Sequence, residues 1–544
     1  MPRRAATPVA VLIGALLAVA GTPAAGRQDI PDPPPAGVAA APPAGVAAPP
    51  VQGAAVAAPD APPAPVPAIT PSALMARLAP LAASPVFHPQ ETGIAVIALP
   101  EGRMVFERNA MRPLRPASTM KILTSAAALS LLRPEFVHET RIWADGPIDA
   151  GGILAGDLYV EGRGAPDLVG EAWWLMARRL AAQGLRRVEG RLIGDESWFD
   201  IARRPPGWPP PVADSWYNAP IGALSCNFNV VTVRVDPTPL LGGRPDLTLE
   251  PSASFFQVLN RARTANQPTD VRVDRAWENG RNQLLVDGVI RRGGGTVVVN
   301  RAVEEPALYA LHTFREIARS CGIEIAGGVQ TGIVPSGARV LHRHESRPLG
   351  TLVRDMNKNS NNFMAEMLVK TLGAQFVEVP GTTAAGLTIV RAWMQGIGLD
   401  DSTAVLADGS GLSDDDRVPA ALLAGTLARA HADFEIGPEL EASLPIGGAD
   451  GTLADRFPAD DARRRVRAKT GRIAGALSLA GYAANRDGHV FAFAIVANQP
   501  RGTLEAVHQS IDGLAAALAS SADADLARAE TARRRDTPPA AARR

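Results

Sequence analysis

The sequence predicts an α/β protein whose main domain is interrupted by a β-rich insertion. Helix and strand patterns alternate in two flanking parts of the 544-residue chain, at about 71–145 and 346–520. Between them, at about 146–345, short strand patterns are separated by glycine-rich turns. Three short motifs that are typical of one catalytic site lie on both sides of this middle segment. We therefore expect the two flanking parts to fold together.

Each predicted element has a local signal. A leucine repeat from Leu74 to Leu81 predicts the first helix, and two strand patterns follow it. The segment from Ser118 to Leu132 is apolar or small almost all round, which is typical of a buried helix, and Arg133-Pro134 ends it. The second flank is predicted to hold long helices, then three strands and a closing helix, at 349–356, 362–372, 386–397, 465–471, 476–484, 489–497 and 503–518.

The middle segment reads mainly as strands, such as Val230 to Val235 and Leu284 to Ile290, with one helical pattern from Glu171 to Gln183. The chain contains two cysteines, Cys226 and Cys321. An exported protein can join such a pair in a disulfide, and two separate thiols are equally expected.

The two ends of the chain differ from the predicted folded part. Residues 1–26 place two arginines before an apolar run from Val9 to Val19, which is typical of a secretory signal. Residues 27–70 are rich in Pro and Ala and are expected to form a disordered spacer, and residues 521–544 a disordered tail. We expect an exported protein of the periplasm or cell envelope, without an integral membrane segment after signal removal. An uncleaved N-terminal anchor is the alternative.

The charged residues exclude one class of partner and favour one kind of chemistry. The chain has 55 acidic and 55 basic residues, so nothing indicates a nucleic-acid-binding surface. Only four of the basic residues are lysines, and two of these, Lys121 and Lys469, lie in catalytic-type triplets. Arginine stays protonated in proteins, whereas a buried lysine can lose its proton and act as a base. The two lysines therefore indicate proton transfer.

Ser118 and Lys121 form a Ser-x-x-Lys motif at the start of the predicted buried helix. Residues three apart share a helix face, and free N–H groups in the first turn stabilise a developing anion. Lys121 can take the proton of Ser118 if burial and a nearby cation, such as Lys469, lower its pKa. Alone, the motif fits a helix-capping serine beside a lysine that reaches solvent, but the apolar helix disfavours that interpretation.

Two further triplets complete the set. Lys469-Thr470-Gly471 ends a predicted strand, where Lys469 and Thr470 could bind a carboxylate and Gly471 would let a substrate backbone come close. Ser360-Asn361-Asn362 links two predicted helices, where Ser360 could relay a proton and Asn362 could hold a substrate amide and orient Lys121. Each triplet alone is common, but the three in this order are the signature of penicillin-recognising serine acyl-transferases.

With these motifs the chain resembles the D-alanyl-D-alanine carboxypeptidase/endopeptidase family, the class C low-molecular-mass penicillin-binding proteins. The resemblance covers about residues 75 to 520, including the long insertion between the first two motifs. Four more segments match it, namely Tyr217-Asn218-Ala219-Pro220, Leu224-Ser225-Cys226-Asn227, Asp408-Gly409-Ser410-Gly411-Leu412-Ser413 and Asp450-Gly451-Thr452-Leu453.

The resemblance implies a transpeptidase/β-lactamase-like domain, in which helices flank an antiparallel sheet, with inserted β-rich domains. It implies that Ser118 attacks the bond between two D-alanines of a peptidoglycan stem peptide, and that water hydrolyses the acyl-enzyme. The backbone N–H groups of Ser118 and Arg472 would form the oxyanion hole. β-Lactam antibiotics are the expected acylating inhibitors, and no metal or other cofactor is expected. The implied catalytic residues are Ser118, Lys121, Ser360, Asn362 and Lys469, and the implied substrate-binding residues are Thr470, Gly471 and Arg472.

Two positions depart from the family's pattern. Arg472 stands where the family usually has threonine, which keeps the backbone donor and changes the contacts available to a substrate carboxylate. Gly164-Ala165-Pro166 stands where Gly-Asp-Pro is expected, so the role of that carboxylate is open and Asp167 is a candidate to replace it.

Other interpretations of the chain remain. The same chemistry on another substrate would make a β-lactamase or an esterase, but no Glu-x-x-Leu-Asn segment follows Ser360 to support fast deacylation. A non-catalytic cell-wall binding protein is disfavoured by the intact motifs. His342-x-His344 has the spacing of metal ligands without acidic or cysteine partners, and is interpreted as a solvated linker. Ser410 is interpreted as part of a tight turn near the cleft. The sequence leaves open whether carboxypeptidase or endopeptidase activity dominates.

Overall fold

The computed structural model of the protein describes residues 73–208, 215–251, 254–459 and 461–522. The predicted signal at 1–26, the spacer at 27–70 and the tail beyond residue 522 lie outside the described residues. No helix in these ranges is long and apolar enough to cross a membrane.

The α-helices of the described residues are α1 Ala73–Ala82, α2 Lys121–Leu132, α3 Gly170–Ala182, α4 Pro306–Ser320, α5 Leu349–Asn359, α6 Asn362–Phe376, α7 Thr383–Gly396, α8 Ala420–Ala432, α9 Gly437–Ser443 and α10 Leu504–Ala519. Short 3₁₀ turns lie at Ala117–Met120, Trp216–Asn218, Asn227–Asn229 and Gly451–Leu453.

The strands are β1 Thr92–Leu99, β2 Arg103–Arg108, β3 Pro113–Leu114, β4 Glu139–Ala144, β5 Ile153–Leu154, β6 Leu158–Gly162, β7 Arg187–Val188, β8 Leu192–Asp195, β9 Val230–Asp236, β10 Asp246–Glu250, β11 Phe256–Asn260, β12 Arg263–Ala265, β13 Asp270–Glu278, β14 Arg281–Arg291, β15 Val297–Ala302, β16 Glu324–Ile325, β17 Val329–Thr331, β18 Arg339–Glu345, β19 Val418–Pro419, β20 Val466–Ile473, β21 Ala476–Ala484 and β22 Val490–Asn498.

The two flanking parts of the chain build one five-stranded antiparallel sheet in the order β2-β1-β22-β21-β20. Strand β1 pairs with β22 along its whole length, from Thr92 opposite Ala497 to Leu99 opposite Val490. Every β1 residue is buried, because its alternating side chains enter two different apolar layers. The predicted antiparallel sheet flanked by helices is confirmed, and β20, which carries Lys469, lies at its edge.

The two apolar layers fix the helices on the sheet. On one face, Ile94, Val96 and Phe493 pack with residues of α1 and α10. On the other, Ala95 and Ile97 belong to a core with α2, α5, α6 and α8. Full burial of one large apolar side chain contributes about 1.5–3 kcal/mol, so these two layers hold the sheet firmly as the middle of a sandwich.

Helix α2 lies at the centre of the second layer. Every residue from Lys121 to Leu129 is buried, which confirms the predicted buried helix, and the helix ends before Arg133 at a φ of 77°. The predicted start was wrong in one respect, since residues 117–120 form a 3₁₀ turn and the α-helix begins at Lys121. Ser118 therefore lies in a tighter turn than the first turn of an α-helix.

The middle of the chain forms several small sheets. One is mixed and five-stranded, in the order β17-β8-β6-β4-β18, and smaller sheets run in the orders β16-β7-β5, β10-β9-β15 and β11-β14-β12, with β13 on β14. Helices α3 and α4 pack on this part, where the rings of Trp173 and Phe314 lie 5.6 Å apart. Strand β4 precedes residue 146 and pairs with β6, while the domain limits at 146 and 345 stay a prediction.

The prediction of a single helix in the middle segment was wrong, because α4 at Pro306–Ser320 is a second one. A proline in its first turn and the buried stripe of Leu311, Phe314 and Ala318 were available signals. Both cysteines are free thiols: Cys226 is buried in this core, where burial raises its pKa to about 12, and Cys321 follows α4.

The contact between α6 and α7 leads to a stability prediction. A Cβ atom on Gly386 would clash with the backbone oxygen of Val369 in α6. We expect Gly386→Ala to push the helices apart and to lower the free energy of unfolding by about 1–3 kcal/mol, seen as a lower melting temperature. Gly396→Ala is the matched control on α7, because nothing lies within 4 Å of its added Cβ. Equal melting temperatures for the two variants would contradict the close-contact explanation.

Candidate active site

The turn that carries Ser118 is fastened to the sheet. Ser478 Oγ on β21 donates to the Pro116 carbonyl at 2.6 Å. The Asn498 side chain on β22 accepts from the Arg115 N–H at 2.9 Å and donates to the Arg115 carbonyl at 3.0 Å. Ala117 has a φ of 48°, a left-handed conformation that is strained for a residue with a Cβ. The sheet therefore holds the nucleophile turn in a conformation that the turn alone would rarely adopt.

The Lys121 amine is fully buried and faces three oxygen atoms. Its Nζ lies 3.0 Å from Ser118 Oγ, 2.6 Å from Asn362 Oδ1 and 2.8 Å from the Ser410 carbonyl oxygen. The amide and carbonyl oxygens can only accept. A neutral amine has two hydrogens, so it would donate both to these two oxygens and direct its lone pair at the Ser118 hydroxyl. This is the geometry of a general base for Ser118.

Burial allows part of the Lys121 amine to be neutral near pH 7. It lowers the pKa of Lys121 to about 8, although the carboxylates of Asp408, Glu366 and Asp416 act in the opposite direction. A pKa of 8 leaves about a tenth of the amine neutral at pH 7. Burial, followed by the charge of Lys121, also lowers the pKa of Lys469 well below its usual value. Of the two causes expected to lower the pKa of Lys121, burial is confirmed, whereas the charge of Lys469 is not among the causes that act on it.

The second buried lysine reaches the cleft through Ser360. Lys469 Nζ donates to Ser360 Oγ at 2.8 Å and to the Thr470 carbonyl at 2.7 Å. Ser360 ends α5 with a φ of 56°, and Asn361 starts α6 by accepting the Met364 N–H with its side chain. The motif is therefore a tight helix-to-helix junction, which brings Ser360 and Asn362 to the same side of the molecule.

Five of the eight predicted site residues line one cleft of about 1150 Å³. Its lining includes Ser118, Ser360, Asn362, Thr470 and Arg472. The two buried lysines join it through their bonds to Ser118 and Ser360. Thus the three motifs, at 118–121, 360–362 and 469–471 in the chain, form one constellation.

Gly471 is tightly enclosed by protein atoms. A Cβ atom there would clash with Ser478 Oγ and would lie 2.9 Å from the Ser118 backbone nitrogen. This glycine therefore lets β20 approach the nucleophile turn, which is a reason that the sequence alone did not indicate. Thr470 Oγ1 donates to Thr452 Oγ1 at 2.8 Å, so a second hydroxyl from the Asp450–Leu453 segment joins the cleft wall.

The loop from Asp408 to Ser413 supplies the Ser410 carbonyl, one of the two acceptors of Lys121, a role that the interpretation of Ser410 as a turn residue missed. The fully buried Asp408 carboxylate accepts the backbone N–H groups of Ser410, Gly411, Leu412 and Ser413. A carboxylate with so many donors fixes the loop backbone around itself. The Ser410 carbonyl is consequently held against the lysine.

Two helices clamp the same loop. Thr124 Oγ1 on α2 donates to the Gly409 carbonyl at 2.6 Å, and Glu366 on α6 accepts the Gly409 N–H at 3.0 Å. Glu366 lies four residues after Asn362 and so on the same helix face. The one acid in a largely apolar helix was the available signal for this residue, and sequence reasoning overlooked it.

The remaining candidates lie elsewhere. Lys358 pairs with Asp450 at 2.7 Å and is structural. Asp167 accepts the Arg347 backbone N–H at 3.0 Å and pairs with its guanidinium, and it is absent from the described cleft lining. His342 and His344 lie on β18, paired with β4, so their interpretation as a linker was wrong. The described residues contain no group of three or more His, Cys, Asp or Glu that could hold a metal ion.

A family model described as the D-Ala-D-Ala carboxypeptidase 3 (S13) family matches residues 74–518. The chain belongs to this family. Among the relatives of this S13 protein, the D-alanyl-D-alanine carboxypeptidase of Actinomadura sp. (strain R39) is 35% identical over 433 residues, covering 77% of this chain and 79% of the relative. The D-alanyl-D-alanine carboxypeptidase DacB of Haemophilus influenzae is 28% identical over 411 residues, covering 74% and 85%.

The fold of the S13 protein also has a solved counterpart. The crystal structure of penicillin binding protein 4 from Haemophilus influenzae superposes with a TM-score of 0.71 at 26% identity, covering 82% of this chain and 99% of that one. The resemblance drawn from the motifs is thereby confirmed for both family and fold.

The Glu366 carboxyl leads to a prediction about pH. Its negative charge raises the pKa of Lys121, while burial and Asp408 raise its own pKa to about 8. Acylation needs neutral Lys121, so its rate should rise as the pH passes through about 8. In Glu366→Gln the amide keeps an acceptor for Gly409 and removes the charge that Glu366 carries at about pH 8 and above, so the pKa of Lys121 falls. The midpoint of the rate profile should move to lower pH by on the order of half a unit.

The measurement is the rate of acylation by a penicillin at saturating concentration, determined at a series of pH values. Glu435→Gln is the control, because Glu435 pairs with Arg133 at the surface and its loss should leave the midpoint unchanged. A midpoint of Glu366→Gln that stays in place or moves to higher pH would contradict the assigned electrostatics.

Proposed function

We propose that the protein is a serine D-Ala-D-Ala peptidase that acts on peptidoglycan stem peptides through an acyl-enzyme on Ser118. The observation that carries this proposal is the buried Lys121 amine, 3.0 Å from Ser118 Oγ, with two other oxygens to receive its hydrogens. Family membership supports it, because relatives of the chain are named D-alanyl-D-alanine carboxypeptidases. The solved complex of Haemophilus influenzae penicillin binding protein 4 with a β-lactam supports β-lactams as acylating inhibitors.

Acylation would begin as Ser118 Oγ bonds to the carbonyl carbon of the penultimate D-alanine and Lys121 takes the hydroxyl proton. The developing negative charge falls on the carbonyl oxygen, for which the backbone N–H groups of Ser118 and Arg472 are the proposed donors. The C–N bond then breaks. The proton taken by Lys121 is returned to the leaving nitrogen through the Ser360 hydroxyl, which Lys469 contacts at 2.8 Å.

In deacylation, a water oxygen would be the attacking atom and Ser118 Oγ would be the leaving atom. A water oxygen bonds to the acyl carbon, the bond from that carbon to Ser118 Oγ breaks, and Ser118 recovers a proton. Lys121 again serves as the base, now towards water. The products are a shortened peptide acid and free enzyme, so no co-reactant other than water is required.

The anionic end of the substrate is proposed to lie against Lys469, Thr470 and Arg472. Without substrate, burial holds the pKa of Lys469 well below its usual value. A carboxylate beside it would raise that pKa again, so substrate binding and protonation of Lys469 are coupled. The exposed Arg472 guanidinium adds a permanent positive charge to the cleft wall.

We infer that the protein works in the periplasm or cell envelope. The proposed substrate is part of the cell wall, and residues 1–26 are typical of a secretory signal.

The role of Lys121 as a base is tested by Lys121→Arg. Arginine keeps the positive charge and stays protonated, so labelling by a fluorescent penicillin should fall by at least about 100-fold. Lys358→Arg is the matched control, because it can retain the ion pair with Asp450, and it should label like the wild type.

Several outcomes would contradict the proposal. Near-normal labelling of Lys121→Arg would remove Lys121 as the base. Equal labelling of wild type and Ser118→Ala, or no labelling of either, would favour a non-catalytic wall-binding protein. Penicillin turnover at many cycles per second would favour a β-lactamase.

A further inference from the structure

A second pocket, of about 330 Å³, adjoins the catalytic cleft. Trp216, Tyr217 and Asn362 line both spaces. Asn362 Nδ2 donates to the Tyr217 carbonyl at 2.9 Å, so the partition between the spaces is tied to a proposed catalytic residue. The outer walls come from the middle segment of the chain and from the start of α6. The described lining of this pocket contains no charged side chain.

Three asparagines in this wall have their amide oxygens occupied. Asn227 Oδ1 accepts the Gly170 N–H at 3.0 Å, Asn361 Oδ1 accepts the Met364 N–H at 3.1 Å, and Asn300 Oδ1 accepts the Thr232 hydroxyl at 2.8 Å. A backbone N–H can only donate, so the orientation of the first two amides is fixed.

Within the described residues, none of the three Nδ2 groups donates to another protein atom. The pocket wall therefore presents hydrogen-bond donors without positive charge. Such donors match uncharged ligands that are rich in carbonyl and hydroxyl oxygens.

The backbone beside these amides is strained. Asn227, Phe228 and Asn229 have successive φ values of 48°, 58° and 54°. Residues with a Cβ rarely adopt this conformation in a row. The buried Asn229 side chain holds the turn by donating to the Pro220 carbonyl at 2.7 Å and to Ser225 Oγ at 3.0 Å. Strain that the surroundings enforce is typical of functional sites, and here it brings Asn227 and Phe228 into the pocket wall.

The rim of the pocket is aromatic. Trp216 is 49% exposed and Tyr217 is 43% exposed, and their rings meet edge to face at 6.0 Å. Exposed aromatic rings offer an apolar surface together with a polar edge. The apolar faces of sugar rings pack on such surfaces, while their hydroxyl and acetamido oxygens accept from neighbouring donors.

We propose that this pocket is a subsite for an uncharged, acceptor-rich portion of the substrate, namely the N-acetylated sugar that carries the stem peptide. The inference rests on the proposed function. The anionic end of the peptide would lie against Lys469, Thr470 and Arg472, and the chain would continue past Asn362 to the uncharged pocket. Amide carbonyls of the peptide itself share the same acceptor chemistry, so the test separates the two sources.

The test compares two pentapeptides that end in D-Ala-D-Ala, one carrying an N-acetylmuramyl group on its N terminus and one carrying a plain acetyl group. The wild type should show a kcat/KM about tenfold higher for the sugar-bearing peptide, the equivalent of one or two hydrogen bonds. In the double variant Asn227→Asp, Asn300→Asp, each carboxylate keeps an acceptor for its protein partner and loses the donor. The ratio of kcat/KM between the sugar-bearing and the acetyl peptide, which we call the sugar advantage, should fall to about one. The cause would be a higher KM for the sugar-bearing peptide.

The same variant should label with fluorescent penicillin, and cleave the acetyl peptide, at wild-type rates. Asn300→Asp alone, on an exposed strand residue, serves if the double variant fails to fold. Its expected result is a partial loss of the sugar advantage.

The outcomes separate the alternatives. Equal rates on both peptides in the wild type, with a raised KM for both in the variant, would assign the pocket to peptide carbonyls and overturn the sugar as its ligand. If the wild type cleaves both peptides at equal rates and the variant leaves both rates unchanged, the subsite is overturned altogether. Wild-type protein that neither labels with penicillin nor cleaves either peptide would overturn the proposed function, and the inference that rests on it.

Discussion

The structure is organised around one buried amine. Lys121 has no contact with bulk solvent, and its three neighbours are the Ser118 hydroxyl and two oxygens that can only accept. Burial disfavours the charged form, and two fixed acceptors decide which way the free lone pair points. A helix that is apolar on all sides is needed to bury this residue, and α2 provides it. Ser118, the nucleophile, then needs only to be held one turn before Lys121 in the chain.

The surrounding carboxyl groups limit how far burial lowers the pKa of Lys121. Three acids near Lys121 are fully buried, namely Asp408, Asp416 and Glu366. Burial and Asp408 raise the pKa of Asp416 well above its usual range and that of Glu366 to about 8. Glu366 thus favours its neutral form near pH 7, so the amine is not surrounded by three full negative charges. The balance leaves the pKa of Lys121 within reach of physiological pH.

Sequence reasoning succeeded where the signal is local. The all-apolar composition of 118–132 predicts a buried helix, and the three motifs are short enough to recognise in a chain with only four lysines. It failed where the role of a residue depends on distant partners. The Ser410 carbonyl acts on an amine 289 positions earlier, and Gly471 is required by the side chain of Ser478 on a neighbouring strand. No local pattern encodes either contact. Helix α4 was overlooked although its apolar stripe was visible, because strand patterns dominate its surroundings.

The most direct test of this account is the titration of Lys121 itself. With lysine labelled at Cε, the four lysines of the chain give four signals, and Lys121→Arg identifies one of them. The account predicts that this signal titrates with a pKa of about 8, and that it changes when penicillin acylates Ser118. A Lys121 signal that titrates at the usual value of about 10.4 would contradict the claim that burial prepares this amine to take a proton.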